Sequence, residues 1–401
     1  MGKRSLTLPA STLILILVVF ATKAVARASD GADATPLAVS HKARNIIFMV
    51  PDGMSLANVT ATRIYLNGPD GAPLNLERTA FIGYQRTHSS DSTVTDSAAA
   101  ASAWACGEKF ENGSICYRDD GPQPESILER ARDLGKATGL VATSTITHAT
   151  PAAFGAHVSS RGCETEIARQ FVQETEVDLM LGGGRATFDR NWPDPCGTKG
   201  DFINLAIEEG YRFVETSQGL EQAVEDGVRR VLGLFSEFGM TPEIRRSPGT
   251  TEPRLPEMTG AALDILEDDP GGFFLVVEGA QVDWAQHAND REYMLGEMIA
   301  FDEAVGVVLD WLDIEPARAA QTLLVIVSDH ETGGFAINGP NGRLSQPGEK
   351  VTAGWTTRGH TAVDTIIWSQ GPRAWRLARP VDNTDLYDVM LEALQPAADN
   401  H

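Results

Sequence analysis

Positive charge is scarce in this 401-residue chain: 33 Lys and Arg stand against 55 Asp and Glu, for a formal net charge of −22 at pH 7. A field of that sign repels polyanions and argues against nucleic acid and anionic membranes as partners. Cysteine is scarce as well. The four present, Cys106, Cys116, Cys163 and Cys196, have no compact Cys-x-x-Cys zinc spacing. Beyond the N-terminus no apolar run approaches the roughly 20 residues that a bilayer span requires, so no stable membrane span is expected. The chain also lacks internal repeats and low-complexity linkers. An acidic chain of this kind could act on an anionic substrate only through a local positive centre, which metal ions could provide.

What is present starts with a secretory pattern. Lys3 and Arg4 lead into an apolar run over 13–21, and Ala24-Val25-Ala26 offers a small-residue cleavage site. Residues 1–26 are therefore expected to be a signal peptide, 27–41 a flexible tail, and 42–401 a single domain of an exported protein, periplasmic or extracellular. In such a compartment cysteines form disulfides. The expected pair is Cys116–Cys163, with Cys106 buried and free.

Short apolar runs at 45–50, 139–143, 177–181, 272–277, 322–327 and 365–369 have the composition of buried parallel strands. Helical patterns at 124–134, 164–175, 201–209 and 295–312 alternate with them. The alternation predicts a three-layer α/β/α sandwich around one mostly parallel sheet. Residues 245–256, with three prolines, are expected to be a surface loop, and Gly182-Gly183-Gly184 a strand-ending turn rather than a phosphate loop, since it lacks the P-loop lysine and spacing.

Polar residues cluster where these strands end. Asp52 follows the first run, His148 and Thr150 the second, Glu278 and then Asp283 and His287 the fourth, and Asp329-His330 the fifth. Ligands of open α/β sheets bind outside the carboxyl ends of strands, so these exits place metal ligands along one edge. Asp283 and His287, four apart, share one face of a helical turn and make a carboxylate–imidazole zinc pair, which His360 would complete. Asp329 and His330 suit a second metal with Asp52. Glu278, Thr150 and a shared Asp52 oxygen form an all-oxygen set suited to magnesium.

Ser97 opens the small-residue run Ser97-Ala98-Ala99-Ala100-Ala101-Ser102 after Asp96. That places it at a helix N-terminus, where free N–H groups favour negative charge. With two divalent ions clamping the attacking and leaving oxygens, Ser97 is the candidate nucleophile. Arg161 offers a bidentate fork for phosphate. His157 has no partner at ligand spacing and is expected to be structural.

Together these segments resemble the alkaline phosphatase family over roughly residues 45–372. The resemblance rests on Val94-Thr95-Asp96-Ser97-Ala98-Ala99-Ala100-Ala101-Ser102, on His148 through Arg161, on Glu278-Gly279-Ala280-Gln281-Val282-Asp283 with His287, on Ser328-Asp329-His330-Glu331-Thr332-Gly333-Gly334, and on Gly359-His360-Thr361. It implies hydrolysis of small phosphate monoesters through phosphoserine at Ser97, with two Zn2+ and one Mg2+. Asp283, His287 and His360 would hold one zinc; Asp52, Asp329 and His330 the other; Asp52, Thr150 and Glu278 the magnesium. Family members differ at two positions. Some carry Asp where this chain has His148 and Lys where it has Trp284, so His148 bears on third-site preference and Trp284 on the phosphate surroundings. A homodimer is common in the family. The alternatives are a phosphodiesterase of the same superfamily, a sulfatase, and a non-catalytic exported metal- or phosphate-binding protein. A sulfatase would need a Cys/Ser-x-Pro-x-Arg setting that Ser97 lacks.

Overall fold

The computed structural model describes residues 42–189 and 192–394, together with Gly2. The expected signal peptide and tail lie outside these residues. Fourteen strands run along the described chain: β1 (Asn45–Pro51), β2 (Phe81–Arg86), β3 (Ala137–Thr145), β4 (Leu179–Gly183), β5 (Arg212–Val214), β6 (Val231–Leu234), β7 (Phe273–Gly279), β8 (Thr322–Val327), β9 (Glu331–Thr332), β10 (Ala336–Gly339), β11 (Thr352–Gly354), β12 (His360–Thr361), β13 (Thr365–Gln370) and β14 (Pro380–Asp382). Ten of them form one sheet in the order β14-β2-β13-β8-β1-β7-β3-β4-β6-β5. All its pairings are parallel except those of β13, which runs antiparallel to β2 and β8.

β1 sits in the middle, with Ile46 opposite both Phe274 of β7 and Leu323 of β8. Strands β1, β7 and β8 are buried along their whole length, which is why their sequences run apolar without alternation. Side-chain direction still alternates. Ile46, Phe48 and Val50 join one core with Trp104, Phe154 and Phe171, while Ile47 and Met49 join another with Met258, Met294 and Phe301. Helices thus cover both faces, giving the expected sandwich. Each fully buried Phe or Leu contributes roughly 2–3 kcal/mol of transfer free energy, enough in aggregate to hold the strand exits rigidly.

Several boundaries moved for local reasons. The expected helix at 124–134 spans Ile127–Asp133, because Ser126 accepts from the Glu129 N–H while the Glu129 side chain accepts from the Ser126 N–H, a capping box. The long helix begins at Arg291, not 295, because Asp290 caps it through the N–H groups of Glu292 and Tyr293. Strands β2, β5, β6 and β14 of the large sheet, and β9 to β12 of the two small ones, lie outside the expected runs: they are short, or half-exposed at the sheet margins.

The disulfides differ from expectation. Cys106 pairs with Cys116 and Cys163 with Cys196, at Cα separations of 6.4 and 5.4 Å. Gly107, at φ +73°, turns the chain back at the end of the helix Ser97–Cys106, and Cys116 returns to it. Cys163 instead caps the helix Glu164–Gln173, beside the loop that Asp194 ties to the Glu166 N–H.

Candidate active site

The strand exits converge. Asp52 follows β1, and Gly53 behind it adopts φ +74°; a Cβ there would lie 2.8 Å from Asp283 Cα, so this close crossing requires glycine. The Gly53 N–H donates to Asp329 Oδ1 at 3.1 Å and the Met54 N–H to Ser328 Oγ at 2.8 Å, which locks the β1 and β8 exits together. Glu278 is the next-to-last residue of β7, and Asp283 and His287 lie on the helix Gln281–Ala288 that follows. Thr150 lies on the helix Ala149–Gly155 after β3, with His148 as its N-cap. His360 opens β12, paired opposite Thr332 of β9.

The histidine tautomers follow from their partners. Nδ1 of His360 donates to the Thr95 carbonyl at 2.9 Å, and Nδ1 of His287 to the Arg358 carbonyl. Thr332 Oγ1 gives its hydrogen to Asp283 Oδ1, so His330 Nδ1, at 3.2 Å, donates to Thr332. Each ring in its neutral form is left with an Nε2 lone pair aimed inward. The Nε2 atoms of His287 and His360 stand 3.2 Å apart, a spacing that a proton on His287 bridges and that a metal ion bound by both would replace. Asp283 Oδ2 is 3.3 Å from His287 Nε2, and its Oδ1 3.6 Å from His360 Nε2. His330 Nε2 lies 3.0 Å from Asp329 Oδ2 and 3.7 Å from Asp52 Oδ1.

Buried atoms without partners mark the same place. Both Asp52 carboxylate oxygens, Asp329 Oδ2, Glu278 Oε1 and Thr150 Oγ1 have no hydrogen-bond partner in the protein. Burying unpaired carboxylates costs several kcal/mol unless a cation is bound, so the donor set fits multiply charged ions. Among the described residues, three groups of potential ligand atoms converge within 4.8 Å at this edge: Asp283 with His330 and His360; Asp52 with Asp329 and His330; and Asp52 with His148 and Glu278. His330 therefore belongs to the first two of these groups, a sharing that spacing in the sequence does not reveal.

Acidities follow from this crowding. Burial and then the Asp329 charge push Asp52 well above the usual carboxylate range, and burial pushes Glu278 up to about 7. The Thr150 hydroxyl lies near enough to favour the charged Glu278 without meeting hydrogen-bond geometry. Burial would also raise Asp283, but the His287 contact and the charges of the three histidines outweigh it and hold the carboxyl low. The same Asp283 contact lifts His287 to about 9.

Ser97 is the first residue of its helix, and its Oγ is 3.2 Å from His330 Nε2. All ten residues of that helix are buried. Trp104 seats it, packing on Phe48 of β1 and donating to Gln85 Oε1 at 2.8 Å. Asp96 caps it: Oδ1 accepts from the Ala99 N–H, while Oδ2 accepts from Arg161 Nη1 at 3.0 Å. Arg161 Nη2 donates to His148 Nε2, also at 3.0 Å. Burial and then the Arg161 charge lower His148 to about 3, so the ring is neutral. With Nε2 accepting, its hydrogen is on Nδ1, which is buried without a partner. Trp284 meets the His148 ring edge to face, 6.2 Å between centroids.

Every sequence-predicted site residue thus lies on one edge, and Ser97, Arg161 and the metal-ligand candidates form one contiguous surface. The sequence reading missed Asp96 as the carboxylate holding Arg161, Thr332 as the hydroxyl on Asp283, and Ser144, whose Oγ donates to Glu278 Oε2 at 3.1 Å. Asp96, an acid before an alanine-rich helix, carried a usable N-cap signal; the two hydroxyls carried none. His157 is structural as expected, with Nδ1 on the Cys116 carbonyl and Nε2 on Glu129.

A model of the alkaline phosphatase family matches residues 43–351. Alkaline phosphatase 3 of Bacillus subtilis is 32% identical over 429 aligned residues, covering 88% of this chain and 89% of that one. Among solved structures, the alkaline phosphatase of the Antarctic bacterium TAB5 aligns with a TM-score of 0.76 at 30% identity, over 88% of this chain and 98% of that one. A histidine-to-aspartate variant of the TAB5 enzyme is described with magnesium in its M3 site. The alkaline phosphatase of Thermus thermophilus aligns with a TM-score of 0.78 at 28% identity, over 89% and 92% of the two chains.

Proposed function

The chain belongs to the alkaline phosphatase family and is a phosphoric monoester hydrolase, and on that premise we propose that it works through a phosphoserine on Ser97 at a site for two zinc ions and one magnesium. Asp283, His287 and His360 would hold one zinc, Asp52, Asp329 and His330 the second, and Asp52, Thr150 and Glu278 the magnesium. When bound, these ions supply the positive charge that an anionic substrate needs in an acidic protein and favour the alkoxide form of the serine. The observation that carries the reading is Ser97 Oγ, 3.2 Å from His330 Nε2 at the rim of the unpartnered carboxylates.

Ser97 attacks phosphorus, and the leaving alcohol departs on the opposite side. Arg161 grips two non-bridging phosphoryl oxygens with the N–H groups not used on Asp96 and His148. The free N–H groups at the start of the helix Ser97–Cys106 favour the charge that develops there. Water then cleaves the phosphoserine and frees phosphate. His148 cannot accept from Arg161 through Nε2 and also offer an Nδ1 lone pair to a metal, so in the geometry seen it serves Arg161 beside the third site. A TAB5 variant described with magnesium in its M3 site supports magnesium as a metal for a third site of this kind. Trp284 brings no cation to the phosphate surroundings. Every identified group addresses the phosphoryl group, which supports broad specificity for the alcohol.

The N-terminal pattern over 1–26 supports export to the periplasm or beyond. Among the described residues no helix is long and apolar enough to cross a membrane. Homodimerisation belongs to the same proposal through the family alone.

The test is hydrolysis of an aryl phosphate monoester at alkaline pH beside the matching diester and sulfate, with protein stripped by chelator and then given zinc plus magnesium. Monoester turnover that returns only with the metals is expected. Preference for the diester or sulfate would overturn the substrate class, and failure of zinc and magnesium to restore activity would overturn the metal assignment.

A further inference from the structure

The loop 107–116, closed by the Cys106–Cys116 disulfide, lies outside every ligand set named above, yet it is bonded to both halves of the phosphate machinery. Asn112 spans the residues before Ser97: Oδ1 accepts from the Asp96 N–H at 3.0 Å, and Nδ2 donates to the Val94 carbonyl at 3.0 Å. Gly113 donates its N–H to Asp96 Oδ2 at 3.0 Å and accepts from the Arg161 N–H at 2.7 Å. Ile115 and Val158 then exchange backbone bonds of 3.0 and 3.1 Å, lacing the loop to the segment that leads to Arg161. Its far end is fixed where the Cys116 N–H donates to Ser102 Oγ at 2.9 Å, back on the helix that Ser97 opens.

We propose that this loop is a positioning element for phosphate binding, in which Asn112 and Gly113 set the placement of Arg161 by fixing Asp96. Asp96 Oδ2 accepts from Gly113 and Arg161 together, so its rotamer is over-determined only while the loop stays in register. Gly113 serves here because of its backbone. It sits at φ +87°, where an added Cβ would meet nothing within 4 Å, so conformation and not space demands glycine. Asn112 is exposed and touches no metal-ligand candidate. Its effect must travel through the register of residues 94–96, and displacements near 1 Å at a clamp cost large factors in binding and rate.

The proposal rests on Arg161 as the phosphate clamp, and the test separates the two. Inorganic phosphate is titrated calorimetrically into the metal-loaded protein for the native chain, Asn112→Ala, Arg161→Ala and the double variant, with kcat and KM for an aryl phosphate measured alongside. Asn112→Ala is expected to weaken phosphate binding roughly 3- to 10-fold, the size of one or two lost hydrogen bonds, and to raise KM more than it lowers kcat. In the Arg161→Ala background the same change is expected to have less than about a 2-fold effect, since coupled residues are not additive. An equal fold-loss in both backgrounds, or no loss in either, would overturn the loop's action through Arg161. Unchanged phosphate affinity in Arg161→Ala alone would overturn the clamp, and the proposal with it. Opening the loop with paired Cys106→Ser and Cys116→Ser changes provides an independent check: the same weakening is expected, and native affinity would contradict the proposal.

Discussion

Asp52→Asn should stabilise the protein without metals and destabilise it with them. Asp52 is fully buried, neither of its carboxylate oxygens has a partner, and Asp329, Asp283 and Glu278 all repel it. Losing an uncompensated buried charge is worth about 3–5 kcal/mol at most; partial protonation of the native carboxyl reduces this to about 2–3. Unfolding a domain of roughly 350 residues carries about 0.7 kcal/mol per degree, so the chelated variant should melt about 3–4 °C above the chelated native protein. Saturating zinc and magnesium should reverse the order. An asparagine at a ligand position shared by two ions, binding each about 100-fold less tightly, forfeits about 2.7 kcal/mol per site. Differential scanning calorimetry of both proteins, chelated and metal-loaded, reads the crossing directly. A chelated variant that melts below the chelated native protein would refute the idea that these carboxylates are strained until a cation arrives.

Other residues lead to further expectations. Ser97→Ala should leave metal binding nearly intact and remove most turnover; native rates in a steady-state assay would sink the covalent route. Trp284→Lys, which adds a cation beside His148, should strengthen inhibition by inorganic phosphate, and an unchanged inhibition constant would show that this position does not face phosphate. Glu297 is a case of pH dependence away from the site. Burial pushes its carboxyl up to about 8, above the roughly 4.3 of an unfolded chain, so the stability present below about pH 4 is lost as pH rises through 8. Glu297→Gln keeps an oxygen for the Glu243 N–H and should add on the order of 2–4 kcal/mol at pH 9 and almost nothing at pH 4. Denaturant midpoints at the two pH values check this, and an equal gain at both would contradict it.

The central architecture was legible because buried parallel strands have an unmistakable composition, and the residues after them, Asp52, Glu278 and Asp329-His330, are confined by topology to one edge. His360 lies on a short strand that pairs with β9, and its placement opposite Thr332 depends on a register that no run of residues encodes. Disulfide pairing was illegible for a related reason. Cys116 meets Cys106 because Gly107 reverses the chain, a backbone event, while composition offered Cys163 equally well. The supporting shell was hidden by chemical ordinariness. Thr332, Ser144, Asn112 and Gly113 are residue types found in any loop, and only their bonds to Asp283, Glu278, Asp96 and Arg161 give them significance. Asp96 lies between these cases: its N-cap role could be read from the sequence, its hold on Arg161 could not.

The central claim, a covalent phosphoryl-enzyme on Ser97, is tested most directly by quenching metal-loaded protein with acid during turnover of a phosphate monoester and mapping phosphorylated peptides by mass spectrometry. One phosphate per chain on the peptide containing Ser97, absent from chelated protein and from Ser97→Ala, is the predicted result. Full turnover with no phosphate on Ser97 at any quench time, or phosphate on another residue that survives Ser97→Ala, would contradict it.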